Sequence, residues 1–107
     1  MKRVLYNISC RGENKTEVLK TVQGYTFEID GVRFGVSNTS PEGARLLGWK
    51  VTELNSGYIA EQAPTKNAAM DKVLNKAFIE KIKKYMPDHE DVNKDVEIQE
   101  SYIWSEE

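Results

Sequence analysis

The segment from Gly48 to Tyr85 constrains the fold of this chain more than any other. It reads Gly48-Trp49-Lys50-Val51-Thr52-Glu53-Leu54, a turn at Asn55-Ser56-Gly57, then Tyr58-Ile59-Ala60-Glu61-Gln62. Pro64-Thr65 follows, ahead of a long helical pattern. Trp49, Val51 and Glu53 alternate with Lys50, Thr52 and Leu54, the period-two signature of a strand. Pro64 ends the second strand because it has no ladder donor, and Thr65 is suited to cap the helix that follows. At about 100° per residue, Met70, Val73, Leu74, Ala77, Phe78, Ile82 and Tyr85 fall within an arc of roughly 180°. Lys81 lies inside that arc, so the expectation is that the last turns shift, fray or let its long stem reach solvent. Pro87 stops the pattern. The expectation is two strands feeding one amphipathic helix over about 65–85, which lies across a sheet.

The preceding segments supply that sheet. Val4, Tyr6 and Ile8 alternate with polar Asn7 and Ser9, as in a half-buried strand. Residues 16–23 fit a helix, with Asn14 and Glu17 as a capping box, and fit a strand equally well by their Thr and Val content; strand is preferred. Tyr25, Phe27 and Ile29, then Val32, Phe34 and Val36, flank Asp30-Gly31, the pair a two-residue hairpin turn requires. Ser40-Pro41-Glu42 offers a cap, a first-turn proline and an acid, and Gly48 a stop, so a short helix is expected near 41–47. Beyond Pro87, residues 88–95 read as an acidic loop. Val96, Ile98, Tyr102 and Trp104 then alternate with polar residues, predicting a last edge strand over 96–104. The fold class expected is α+β: an antiparallel sheet of about five or six strands with one long helix on one face.

A chain of 107 residues makes one domain, 1–107, the prior. No apolar run approaches the roughly 20 residues needed to cross a bilayer. Asn7 and Ser9 interrupt what would be the core of a secretory signal after Lys2-Arg3. A single cysteine, Cys10, suits a reducing compartment, so a cytoplasmic location with no membrane partner is expected. The net charge of −2 hides an asymmetry. Residues 1–87 carry 14 Lys/Arg against 9 Asp/Glu (+5), and residues 88–107 carry 1 against 8 (−7).

No constellation announces a reaction. Asp91-Val92-Asn93-Lys94-Asp95-Val96-Glu97 spaces oxygen ligands as a calcium loop does, but Val96 stands where Gly is needed and Tyr102 where a bidentate Glu is needed. His89, the only histidine, has no second strong ligand nearby, and Cys10 no motif-placed base. Gly31 and Gly35 are turn and strand glycines, with no Gly-Lys-Ser/Thr after them. The expectation is therefore a non-enzymatic protein without metal or cofactor. Two surfaces remain. Asp88, Glu90, Asp91, Asp95, Glu97 and Glu100 would fill a basic groove on a protein partner, anchored by Tyr102 and Trp104. Alternatively Arg33, Lys50, Lys66, Lys72, Lys76, Lys83 and Lys84 would contact nucleic-acid phosphates, with Lys72, Lys76 and Lys83 within about 40° on one helix flank. Trp49 and Tyr58 would stack on bases if they faced outward, although Trp49 reads better as core.

Gly48-Trp49-x-Val51-Thr52, Ser56-Gly57-x-Ile59-Ala60, Pro64-Thr65 and Ala68-Ala69 together resemble a pattern in small bacterial proteins from phages and mobile elements. The segment is also similar to the strand–strand–helix half of double-stranded RNA-binding domains, with one lysine, Lys66, where those have a cluster. It is similar, too, to a segment of HicB-type antitoxins. In size and charge the chain resembles anti-CRISPR inhibitors. The resemblance implies an interaction protein that binds and inhibits a nucleic-acid-handling host protein through the acidic 88–100 segment. Its alternatives are a nucleic-acid-binding module and an antitoxin-like partner protein, with homodimer formation a further option.

Overall fold

The computed structural model describes residues 2–11, 16–85 and 90–103. Five strands run β1 (Val4–Arg11), β2 (Glu17–Ile29), β3 (Val32–Thr39), β4 (Arg45–Glu53) and β5 (Ile59–Ala63), each antiparallel to the next. Two helices follow, α1 (Lys66–Val73) and α2 (Lys76–Tyr85), and then a short β6 (Glu100–Tyr102). The α+β expectation holds, in a strand-dominated form. Residues 17–23, ambiguous by pattern, are strand.

The β2–β3 hairpin turns where predicted, with Asp30 at φ 48° and Gly31 at φ 91°. Its register pairs Tyr25 with Val36, Phe27 with Phe34 and Ile29 with Val32, so all six side chains share one face. Val51 joins them through Val36, and Ala69, Val73, Ile79 and Ile82 of the helices close the core over that face.

The single long helix is overturned. Leu74 leaves helical geometry (φ −76°, ψ 60°), and Asn75 starts a new helix by accepting the Phe78 N–H on its side chain at 3.1 Å. The break resets the helical phase. Ile79 lies about 240° from Val73 on a continuous helix, yet both are fully buried. Leu74 and Ala77, expected in the apolar arc, are exposed, and the lysine flank is split, Lys72 on α1 and Lys76 and Lys83 on α2.

The short helix near 41–47 is not formed either. Ser40 does cap, accepting the Ala44 N–H on its hydroxyl at 3.1 Å, but Gly43 at φ 88° closes a tight β3–β4 loop. Thr39 then pairs with Arg45, drawing 45–47 into β4. Glu53, buried on the helix side of the sheet, is a turn cap: its carboxylate accepts the Asn55 and Ser56 N–H groups at 2.5 and 3.0 Å.

The opposite face is covered by the C-terminal segment. Tyr6, Val22 and Leu54 form a second buried cluster beneath Val96 and Ile98, with Ile8 beside them. The predicted strand over 96–104 is reduced to Glu100–Tyr102, which pairs parallel to Phe27–Ile29 of β2; Trp104 lies outside the described residues. Before it the segment is an irregular strap, because side chains replace the ladder. Thr26 donates its hydroxyl to the Glu97 carbonyl at 2.5 Å and accepts the Gln99 N–H at 3.1 Å. Asn93, fully buried, mimics a strand partner: its amide oxygen accepts the Asn7 N–H at 2.6 Å and its nitrogen donates to the Asn7 carbonyl at 2.9 Å.

The Tyr6 ring fills the space over Gly24 and Gly35, and its hydroxyl is buried near Ser37 without a well-formed hydrogen bond. Burial pushes the phenol well above its usual pKa of 10, against small opposing effects of Ser37 and Arg3. The folded-state value is raised, so this group's contribution is whole below about pH 10 and is lost as pH climbs from there toward the folded value. Tyr6→Phe removes an unpaired buried hydroxyl. It is expected to match or exceed wild-type stability by about 1 kcal/mol at neutral pH in urea melts. The margin should widen above pH 10.

Candidate functional site: a cationic–aromatic groove

The predicted acidic surface is divided by the strap. Asp91 turns inward, paired with Arg33 at 2.5 Å and accepting the Asn93 N–H at 2.9 Å, while Arg33 also donates to the Asn93 carbonyl at 2.9 Å. A residue expected on each surface thus neutralises one from the other, and both fasten the strap. Glu100 accepts the Tyr102 hydroxyl at 2.7 Å, an interaction that holds that phenol above its ordinary pKa, and Tyr102 rests edge-on against Phe27. Glu90, Asp95 and Glu97 are exposed; Asp88 and Trp104, like His89, lie outside the described residues.

The predicted cations do not form one patch. Arg33 sits under the strap, and the pairing of Lys50 with Ser37 puts it on the face opposite Val51. Lys83 is tied to Asp30 at 2.8 Å, which raises its pKa, and Lys72 donates to the Gln62 carbonyl at 2.9 Å. Lys76 and Lys84 are exposed on α2. Tyr58 donates its hydroxyl to Glu17 on the β1–β2 hairpin.

Lys66 is different. As the first residue of α1, placed by the Thr65 cap, its ammonium lies 4.1 Å over the Tyr25 ring. Trp49 stacks on the same Tyr25 ring, with centroids 6.4 Å apart and planes 25° apart. The Arg3 guanidinium stands 5.4 Å from the Tyr25 ring centre and 5.9 Å from that of Trp49, held by the buried Asn38 side chain at 3.1 Å. Asn38 reaches that position because the β3–β4 register shifts between Ser37 and Thr39.

With Thr39 and Arg45 these residues line an open groove of about 500 Å³. No family model, curated protein or solved structure matches the chain. The groove must therefore be read from its own chemistry. Its lining holds three cations, two aromatic rings and two hydrogen-bonding side chains, and none of those residues is a carboxylate, histidine or thiol. Two cations share the Tyr25 ring and repel each other, so an anion laid between them is favoured twice, by attraction and by relief of that repulsion. Cations set beside a flat ring have the chemistry to attract an anion that also has a planar face. Among the described residues no three His, Cys, Asp or Glu side chains converge as a metal site.

Sequence reasoning had Lys66 and, conditionally, Trp49. It missed Arg3, Tyr25, Asn38, Thr39 and Arg45. The Tyr25 alternation signalled a core position, and Tyr25 does pack on the core while presenting its ring to the groove.

Proposed function

We propose that this protein is a non-enzymatic binding module that takes nucleic acid in the Arg3–Tyr25–Arg45–Trp49–Lys66 groove. The observation that carries the reading is the coincidence of three cations and a stacked aromatic pair in one groove whose lining lacks carboxylates. The test is a salt titration of binding to a labelled oligonucleotide. The double variant Arg3→Ala/Lys66→Ala, one position exposed and the other half-buried, should bind more weakly. Its slope of log affinity against log salt should fall by about 1.5, as expected for two lost phosphate contacts. An unchanged slope would remove the groove from the interaction.

A second reading, inhibition of a nucleic-acid-handling host protein by a phage or mobile-element product, keeps one supporting observation. Glu90, Asp95 and Glu97 are displayed outward on a strap that is pinned to the sheet rather than on a free tail. The variant Glu90→Gln/Asp95→Asn/Glu97→Gln separates the two. It should abolish capture of a basic partner under this reading. Under the first it should leave nucleic-acid binding intact or strengthen it.

A further inference from the structure

Trp49 stands between two clefts. One is the cationic groove; the other, about 700 Å³, is lined by Arg45, Leu46, Leu47, Gly48, Lys50, Gln62, Ala63 and Pro64 as well as by Trp49 itself. Arg45 and Trp49 belong to both, so the two spaces meet at the indole and the guanidinium. The second cleft exists because β4 overruns its neighbours. Its pairing with β3 lapses between Arg45 and Lys50, and β5 pairs with it only from Trp49 onward. Among the described residues Leu46 to Gly48 therefore carry no ladder partner on either side, and the Leu47 side chain, in a strand, is wholly exposed. Gly48 keeps the cleft flat: a Cβ there would come within 3.0 Å of the Ala63 carbonyl oxygen.

We infer that this apolar slot takes one unpaired base of a nucleic-acid strand, stacked beside Trp49 and against Leu47, while the adjoining phosphates lie on Arg3, Arg45 and Lys66. The inference rests on the nucleic-acid reading above and sharpens it from nucleic acid to single strand. Charge complementarity commits the slot to this occupant: an apolar cleft that opens directly onto a three-cation groove matches a flat base joined to a phosphate. A duplex keeps its bases paired inside and would meet only the cations, leaving the slot empty.

The experiment uses the full chain carrying Trp104→Phe, so that indole fluorescence reports Trp49 alone. It is titrated with a mixed-sequence single strand of about twelve nucleotides, the same sequence as a duplex, and a base-free oligomer of equal length. The single strand should bind tightest and change the Trp49 emission; the duplex and the base-free oligomer should bind more weakly without that change. Leu47→Ala, at a fully exposed position, should weaken single-strand binding by about tenfold, in line with loss of the apolar contact its side chain makes on the base, and leave duplex binding and the salt slope unchanged. Equal affinity for all three ligands with no fluorescence change would overturn the slot and leave the groove standing. No binding of any of them at low salt would overturn the nucleic-acid reading itself.

Discussion

Removal of residues 88–107 is expected to unfold the protein, not to yield a basic body freed of an acidic arm. The strap packs half-buried Val96 and Ile98 on Tyr6, Val22 and Leu54, and it supplies β6 to the edge of β2. Returning the three buried side chains Tyr6, Val22 and Leu54 to water costs about 5 kcal/mol. Domains of this size hold roughly 5–15 kcal/mol in all. The single substitution Asn93→Ala isolates the polar part of the loss. It leaves the Asn7 N–H, the Asn7 carbonyl and the Leu54 carbonyl, which Asn93 meets at 2.6, 2.9 and 2.7 Å, without their partner. At about 1 kcal/mol or more for each orphaned group, a loss near 3 kcal/mol is expected in urea melts. A truncated chain that melts cooperatively near the wild-type midpoint would show the strap to be dispensable.

Gly35→Ala is expected to cost about 2–3 kcal/mol by overpacking, although nothing in the backbone conformation at this position demands glycine. A Cβ at residue 35 would lie 2.5–2.8 Å from three atoms of the Tyr6 ring, and that ring is held between the sheet and the strap. Tyr6 has no free side to which it can retreat. A double-mutant cycle gives the check: in a Tyr6→Leu background the same Gly35→Ala change should lose most of its effect. An unchanged cost in that background would place the strain elsewhere.

Local rules explain why parts of the fold were legible. Asp30-Gly31 announced its hairpin because a two-residue turn needs positive φ at both positions and few residues tolerate it. The helix break was less visible. Asn75 is a good cap, but in the middle of an apolar pattern it also reads as an ordinary exposed position, and Ile79 became core only because the break rotated it there. The 41–47 segment carried a genuine cap signal at Ser40, and Gly43 at φ 88° turned that cap into a loop. The alternation in 96–104 correctly marked Val96 and Ile98 as apolar contacts, while strand pairing itself begins only at Glu100.

By itself the sequence determined the antiparallel core of the sheet, the face its aromatic residues share once register is set, the presence of helical structure after Pro64, and the change in charge sign beyond Pro87. Those features follow from periodicity, turn chemistry and capping, which act over a few residues. The tertiary structure alone decided what the acidic segment is for and where the cations meet. Asn7 and Asn93 are 86 positions apart, and Arg3 and Asn38 are 35 apart. A hydrogen bond across that distance depends on the register of several strands at once, and no local pattern encodes it. The same is true of the groove: Arg3, Tyr25, Arg45, Trp49 and Lys66 come together only because the β3–β4 pairing shifts and the start of α1 is set down over Tyr25.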